Sequence, residues 1–218
     1  MRFPSLDERL QAAADLFTAC DTGADIGADH GRLSCYLLHH QICQRMIVAD
    51  ISADSLSKAE RLLSLHELSD RAFFRVADGL DALREHPAQC VAICGMGGRL
   101  MSEILHRGKD MLKNADLILS CHTEIPLIRK TVTEINYSVQ TERLVRAKGR
   151  YYVIMRAVPG ASKYSEKELY LGPELLKGRE ALWQSYLQWR EGVVSCEKDH
   201  EKQLVWIREE LKHGTIDS

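Results

Sequence analysis

The sequence predicts an α/β protein in which a mostly parallel, doubly wound sheet is followed by a C-terminal helical hairpin. Short apolar segments alternate with amphipathic segments at intervals of roughly 20 to 30 residues, a pattern typical of βαβ units. Glycine- and acid-rich loops follow several of the apolar segments. Beyond residue 166 no strand pattern is visible, and leucines and tryptophans recur at helical spacing instead.

The alternating region gives seven strands and five helices. Ser5 is the expected N-cap of the first helix, with Glu8 as its capping-box partner, and Asp21-Thr22-Gly23 is expected to turn the chain. Ser52 should cap the third helix. The predicted strands are 24–27, 46–50, 72–77, 90–94, 117–120, 137–145 and 151–157, and the predicted helices are 5–19, 32–40, 52–65, 100–107 and 126–136.

The last two strands and the C-terminal segment complete the predicted architecture. No helix separates these two strands, so they should form an antiparallel hairpin at a sheet edge, turning around Lys148-Gly149-Arg150. Pro159-Gly160 then interrupts the pattern. Two further helices should pair as an antiparallel coiled-coil hairpin, with a break between Gly192 and His200. The predicted domains are therefore 1–158 and 159–218.

Composition excludes several classes of protein. The chain has 218 residues, a net charge of −2 and 45% hydrophobic residues, as expected for a soluble globular protein rather than a disordered one. The charge argues against non-specific coating of nucleic acid but permits a local basic patch. The 7 cysteines form no CxxC pair, so no metal site is expected. No secretory leader or membrane-spanning stretch is recognisable, which favours the cytoplasm.

The loop after the first strand carries carboxylates and lacks the glycine spacing of a dinucleotide site. Its sequence, Asp25-Ile26-Gly27-Ala28-Asp29-His30-Gly31, has the spacing G-x-x-x-G rather than G-x-G-x-x-G. Asp25 and Asp29 would repel a pyrophosphate and attract a cationic or zwitterionic ligand. The amino-acid end of S-adenosylmethionine meets that requirement. A nicotinamide-dependent oxidoreductase is the weaker alternative.

The next three strands also end in groups that suit a nucleoside cofactor. Asp50 can accept both ribose hydroxyls, and Asp78-Gly79 can reach an adenine amine. Gly95-Met96-Gly97 would place bare backbone beside the transferred methyl. Each loop alone could be an ordinary turn or cap. Ligands of open parallel sheets bind beyond the carboxyl ends of the strands, and four such loops on successive strand ends predict one site.

Several motifs resemble those of the bacterial tRNA adenine-N1-methyltransferases that act on position 22. The motifs are L-x-x-R-L (Leu6 to Leu10), D-I-G-x-D-H (Asp25 to His30), D-G-L (Asp78 to Leu80), G-M-G-G-R-L (Gly95 to Leu100), G-R-Y-Y (Gly149 to Tyr152) and L-G-P-E-L-L (Leu171 to Leu176). The resemblance implies a Rossmann-like class I methyltransferase domain with a C-terminal coiled-coil domain, S-adenosylmethionine as cofactor and tRNA as substrate.

With this resemblance, residue roles can be assigned as expectations. The cofactor should contact Asp25, Gly27, Asp29, His30, Asp50, Ile51, Asp78, Gly79, Gly95, Met96 and Gly97. Adenine N1 can attack the sulfonium methyl directly. Asp29 is the first candidate, and His30 the second, for stabilising the cationic product base or taking its proton. More simply, Asp29 could only bind cofactor and His30 could only cap the next helix.

The expected RNA contacts lie on and beside the final hairpin. Arg143, Arg146, Lys148 and Arg150 form a basic cluster that suits tRNA phosphates, although solvated edge residues would look the same. Arg99, Arg107 and Lys109 form a second cluster. His122 either contacts the target base or is a surface histidine. Three tryptophans are expected to pack helices rather than stack on bases, namely Trp183, Trp189 and Trp206.

Two segments depart from the family pattern. The family has H-A-Y-L-P where this chain has His30-Gly31-Arg32-Leu33-Ser34, and Q-P-N where this chain has Ser120-Cys121-His122-Thr123. The second departure keeps two alternatives open. One is a methyltransferase of another RNA or of a small molecule, and the other is a non-catalytic S-adenosylmethionine-binding partner protein. The sequence leaves the oligomeric state open between a monomer and a weak dimer.

Overall fold

A seven-stranded sheet organises the chain, and its first five strands run parallel. The computed structural model describes residues 5–196 and 200–213. The strand order is β3-β2-β1-β4-β5-β7-β6, with β7 antiparallel to both β5 and β6. The strands are β1 (Cys20–Ile26), β2 (Cys43–Asp50), β3 (Ala72–Val76), β4 (Cys90–Cys94), β5 (Asp116–Cys121), β6 (Tyr137–Ala147) and β7 (Arg150–Pro159).

Helices connect the parallel strands and continue beyond the sheet. The helices are α1 (Glu8–Leu16), α2 (Arg32–His39), α3 (Ala53–Leu65), α4 (Gly98–Gly108), α5 (Ile125–Glu134), α6 (Glu166–Leu171), α7 (Pro173–Gly178), α8 (Trp183–Val194) and α9 (Glu201–His213). The α/β fold class and the edge hairpin are confirmed. Ser52 caps α3 as predicted, accepting a hydrogen bond from Ser55 N at 3.2 Å.

Two local predictions near the N-terminus are wrong. Asp7, not Ser5, caps α1, because its side chain accepts the Leu10 amide hydrogen bond at 2.8 Å. Asp21-Thr22-Gly23 is not a turn but part of β1. Gly23 is paired on both sides, with Met46 of β2 and Cys90 of β4, and a Cβ there would lie 2.7 Å from the Met46 sulfur. Close packing, rather than chain reversal, explains this glycine.

The C-terminal helices share the hydrophobic core of the sheet. Buried Trp183, Leu187 and Ile207 belong to the same cluster as Ile26 of β1 and Leu119 of β5. The helices therefore cover one face of the sheet and have no separate core. The boundary between 158 and 159 stays a prediction about folding units. So does regular coiled-coil packing of α8 and α9, whose connection includes residues 197–199, outside the described part.

No helix among the described residues is long and apolar enough to cross a membrane.

The β6–β7 hairpin extends past the carboxyl ends of the parallel strands. Cys121, the last residue of β5, pairs with Val153, whereas the hairpin continues to Ala147 and Arg150. At about 3.3 Å per residue, the hairpin tip (residues 145–152) projects roughly 10 Å beyond the edge of the sheet where ligands bind.

A buried ion pair joins the hairpin to α5 and to the C-terminal helices. Arg129 of α5 donates to Glu142 of β6 at 2.7 Å, and both side chains are 0% exposed. Arg129 also donates to the carbonyls of Leu169 and Tyr170 at 2.9 Å. The second Glu142 oxygen accepts the Glu174 amide at 3.1 Å. The pair therefore provides hydrogen-bond partners for the last carbonyls of α6 and for the first amides of α7.

Removing one partner of this pair should destabilise the whole chain. Arg129→Met leaves the buried Glu142 carboxylate without its cationic partner and removes the arginine donor from one of its oxygens and from the Leu169 and Tyr170 carbonyls, so we expect a loss of about 3–5 kcal/mol in the free energy of unfolding. Urea denaturation followed by circular dichroism measures it. Arg84→Met, which breaks an exposed pair with Asp81, is the control and should cost less than about 1 kcal/mol. Equal losses in both variants would contradict the structural role of the pair.

Candidate active site

A cavity of about 460 Å³ opens at the carboxyl ends of the parallel strands. Ten of the predicted cofactor residues line it, namely Asp25, Gly27, Asp29, His30, Asp50, Ile51, Asp78, Gly79, Gly95 and Met96. Gly97, the eleventh, stands immediately beyond Met96 as the N-cap of α4. The four strand-end loops thus meet in one place, as the parallel topology requires.

The loop after β1 is held to the end of β2 by backbone hydrogen bonds. The amides of Gly27 and Ala28 both donate to the Ala49 carbonyl, at 2.8 and 2.9 Å. This turn needs a positive φ at Gly27, +71°. A side chain at Gly27 would also meet the Met96 side chain, so the two strand-end loops pack directly on each other.

Asp50 fixes the same loop through its carboxylate. One oxygen accepts the Asp29 amide at 3.0 Å and the other accepts the Ser52 amide at 2.9 Å. Each carboxylate oxygen has further acceptor capacity. The side chain can therefore hold the loop and still accept hydrogen bonds from the hydroxyl groups of a ligand in the cavity.

Asp25 is the buried acid of the site. It is 3% exposed, and Ser34 of α2 donates a hydrogen bond to it at 2.8 Å. Burial raises the pKa of Asp25 to about 6, and the nearby Asp50 charge acts in the same direction, while Ser34 and Arg9 oppose the rise. A buried carboxyl on the cavity wall favours a cation as its partner.

Asp29 and His30 form an exposed pair at the mouth of the cavity. Nδ1 of His30 lies 2.6 Å from the Asp29 carboxylate, and the two side chains are 50% and 66% exposed. His30 does not cap the following helix. Gly31 is the N-cap of α2 and no side chain caps it, so the simpler role considered for His30 is wrong.

Asp78 and the two arginines of the second basic cluster are already paired. Arg107 contacts Asp78 at 2.7 Å, and Arg99 contacts Glu124 at 3.1 Å. These two arginines are therefore poor candidates for phosphate binding. Asp78 still borders the cavity, and its role toward a cofactor stays a prediction.

The segment that departs from the family pattern after β5 caps the start of α4. The Thr123 hydroxyl accepts the Gly98 amide at 3.3 Å, and Glu124 accepts the Arg99 amide at 3.0 Å. His122 is exposed and approaches Tyr152 of β7, with their ring centroids 5.7 Å apart. The structure thus places His122 between the cavity and the hairpin tip.

The predicted hairpin cations are exposed and available. Within residues 5–196 and 200–213, Arg143, Arg146, Lys148 and Arg150 make no ion pair, and Arg146 lies over the Tyr151 ring at 5.7 Å. Trp183 is buried, as expected of a packing residue. Trp189 contacts Tyr151 at 5.4 Å but remains 43% exposed.

Sequence reasoning missed the roles of Arg9 and Ser34. Arg9 of α1 lines the cavity, and its Nη1 atom is buried without a hydrogen-bond partner among the described residues. The sequence pattern that could have identified Arg9 is its position on the apolar face of the first helix, at helical spacing from Leu6 and Ala13. Ser34 was noted only as a departure from the family pattern, yet it is the hydrogen-bond donor to Asp25.

Comparisons with known proteins agree with this geometry. A curated relative, the tRNA (adenine(22)-N(1))-methyltransferase of Bacillus subtilis (strain 168), is 28% identical over 199 residues, covering 86% of this chain and 84% of the relative. Among solved structures, the B. subtilis m1A22 tRNA methyltransferase TrmK is 23% identical with a TM-score of 0.82, covering 95% of this chain and 96% of that one. M. capricolum TrmK, in complex with S-adenosyl-homocysteine, is 22% identical with a TM-score of 0.78, covering 95% of each chain.

The family itself follows from a match to most of the chain. The family model described as "Methyltransferase domain" matches residues 6–155, from α1 through β7. That span holds the sheet, the cavity and the hairpin tip. The chain belongs to the methyltransferase-domain family.

Proposed function

We propose that this chain transfers a methyl group from S-adenosylmethionine to N1 of the adenine at position 22 of tRNA. The observation that carries the proposal is that Arg9, Asp25 and Asp50 line the same cavity, where each offers a group complementary to one part of the cofactor. The named activity of the 28% identical relative supports the substrate.

The cavity residues fit each part of the cofactor. Arg9, whose Nη1 atom has no partner in the described chain, suits the carboxylate of the amino-acid end, and Asp25 suits its ammonium group. Asp50 suits the ribose hydroxyls. The apolar side chains of Ile51 and Leu100, 72% and 51% exposed beside the cavity, suit the faces of the adenine.

Alignment and electrostatics are the tasks of the protein in this reaction. The bound cofactor supplies an electrophilic methyl group on a sulfonium. Gly95, Met96 and Gly97 leave backbone at the place where the acceptor nitrogen must approach, so a planar base can come close. We assign to Asp29 the stabilisation of the positive charge that develops on the base, and to His30, 2.6 Å away, the removal of a proton from the exocyclic amine of that base.

The hairpin tip provides a surface for the RNA backbone. Arg146, Lys148 and Arg150 project beyond the strand ends on the side where the cavity opens, and Arg143 lies behind them along β6. Phosphate contacts position the RNA, whereas base contacts give specificity. An adenine within folded tRNA must leave its stack to reach the cavity. We assign the protein to the cytoplasm with its substrate.

Methyl transfer to defined transcripts tests the proposal. With labelled S-adenosylmethionine, a tRNA transcript carrying A22 should yield 1-methyladenosine, and the same transcript with G22 should yield none, as measured by nucleoside mass spectrometry. Label in another nucleoside would indicate a different RNA methyltransferase. Binding of S-adenosylhomocysteine without any transfer would indicate a non-catalytic module instead.

Asp29→Ala provides the matching variant. We expect it to abolish transfer to the A22 transcript while the circular dichroism spectrum remains that of the wild type. Asp110→Ala, which changes an exposed aspartate after α4, should retain full activity. Full activity of Asp29→Ala would remove Asp29 from the mechanism.

Cofactor affinity should depend on the protonation of Asp25. The cation-binding form is the carboxylate, which predominates above the pKa of about 6 and is lost as the pH falls below it. From pH 7.5 to pH 5.5, the dissociation constant of S-adenosylhomocysteine should therefore rise about fourfold. Calorimetric titration measures this change. Asp25→Asn should bind more weakly at pH 7.5 and lose the pH dependence. If the dissociation constant of Asp25→Asn still changed with pH, the titration would belong to another group.

A further inference from the structure

Tyr152 lies at the base of the hairpin tip, beside Arg9 of the cavity wall. It pairs with Val145 in the hairpin and directly precedes Val153, the partner of the last residue of β5. It therefore lies just past the strand end at the edge where the cavity opens. Its neighbour Tyr151 faces the other side of the sheet and packs against Tyr186 and Trp189. Because successive residues of a strand face opposite sides of the sheet, Tyr152 faces the side covered by α1 and Tyr151 does not.

Arg9 connects the Tyr152 ring to the centre of the cavity. The Arg9 guanidinium carbon lies 5.9 Å from the Tyr152 ring centroid. The Nη1 atom of the same arginine lies 3.5 Å from the position that a Cβ on Gly95 would occupy. Tyr152 is therefore separated by one side chain from the backbone at which the acceptor base must approach.

His122 brings a second ring to the same place. Its plane is tilted 59° from that of Tyr152 at a centroid distance of 5.7 Å. Tyr152 is half-buried and packs against the buried cluster that contains Ala13 and Ile154, so its ring orientation is held, whereas His122 is exposed. Neither ring lines the cavity itself, but each lies next to a residue at its edge: Tyr152 lies beside Arg9, and Thr123, which follows His122, lies 3.6 Å from a Cβ position on Gly97.

We propose that Tyr152 is the wall on which the target adenine stacks, with His122 closing one side of the base pocket. The inference rests on the proposed function and adds the residues that receive the base. A flipped purine loses its stacking neighbours in the RNA, and an aromatic ring replaces that contact without a requirement for hydrogen bonding.

Two substitutions at residue 152 separate stacking from other roles. Tyr152→Phe retains the ring and should keep kcat/KM for tRNA within about threefold of the wild type. Tyr152→Leu retains apolar volume but loses the ring, and should lower kcat/KM by about 10- to 100-fold. The affinity for S-adenosylhomocysteine should stay within about twofold in both, because the cofactor is bound by other residues. Tyr36→Leu, a half-buried tyrosine packed with the same cluster, is the control and should leave kcat/KM unchanged.

The outcomes distinguish this inference from the function on which it rests. Normal kcat/KM in Tyr152→Leu, or equal losses in the Leu and Phe variants, would overturn stacking. A parallel loss of S-adenosylhomocysteine binding in Tyr152→Leu would assign the residue to the cofactor site or to folding, and would overturn it as well. If the wild-type chain methylates no tRNA, the proposed function has failed and the inference is withdrawn with it.

Discussion

The parallel alignment of β1, β2 and β4 is the constraint on which the site depends. β1 lies between the other two, with Ile26 level with Ala49 on one side and Ile93 on the other. The residues that follow these three strands therefore reach the same edge of the sheet, although they are far apart in sequence. Hydrogen bonds from the first loop to Ala49 and Asp50 then fix their relative positions.

A second constraint couples the RNA-facing hairpin to the C-terminal helices. The Arg129–Glu142 pair lies beneath β6 and accounts for the L-G-P-E-L-L motif. Gly172 has a φ of +112°, and a Cβ there would lie 2.6 Å from the Glu142 carboxylate and 2.7 Å from the Arg129 guanidinium. Only a residue without a side chain lets the chain pass over this pair. The helices thereby cover the hairpin from one face while α1 supports the other.

The sequence was sufficient to predict the fold class and ten of the 20 residues that line the cavity. Alternation of strand and helix patterns identified the parallel sheet, and its topology alone brought Asp25, Asp50 and Gly95 together. Residues on the far side of the cavity were not predictable in this way. Arg9 reaches it from a helix at the start of the chain, and the register of the edge hairpin brings Tyr152 beside Arg9.

Charge pairing was also beyond the reach of the sequence. Arg99 and Arg107 looked equivalent to Arg146 in the amino-acid string, but acidic partners from other elements neutralise both. A chain with a net charge of −2 therefore contains two regions of opposite charge. Carboxylates concentrate in the cavity, and unpaired cations concentrate on the hairpin. Such a protein should recognise RNA by shape and local contacts more than by bulk attraction.

The most direct test of this account is a crystal structure of the chain with bound S-adenosylhomocysteine. The account predicts the ligand in the strand-end cavity, with its ribose hydroxyls on Asp50, its carboxylate on Arg9 and its sulfur facing Gly95 to Gly97. A ligand bound elsewhere, or one bound in this cavity with its sulfur turned away from the hairpin tip, would contradict it.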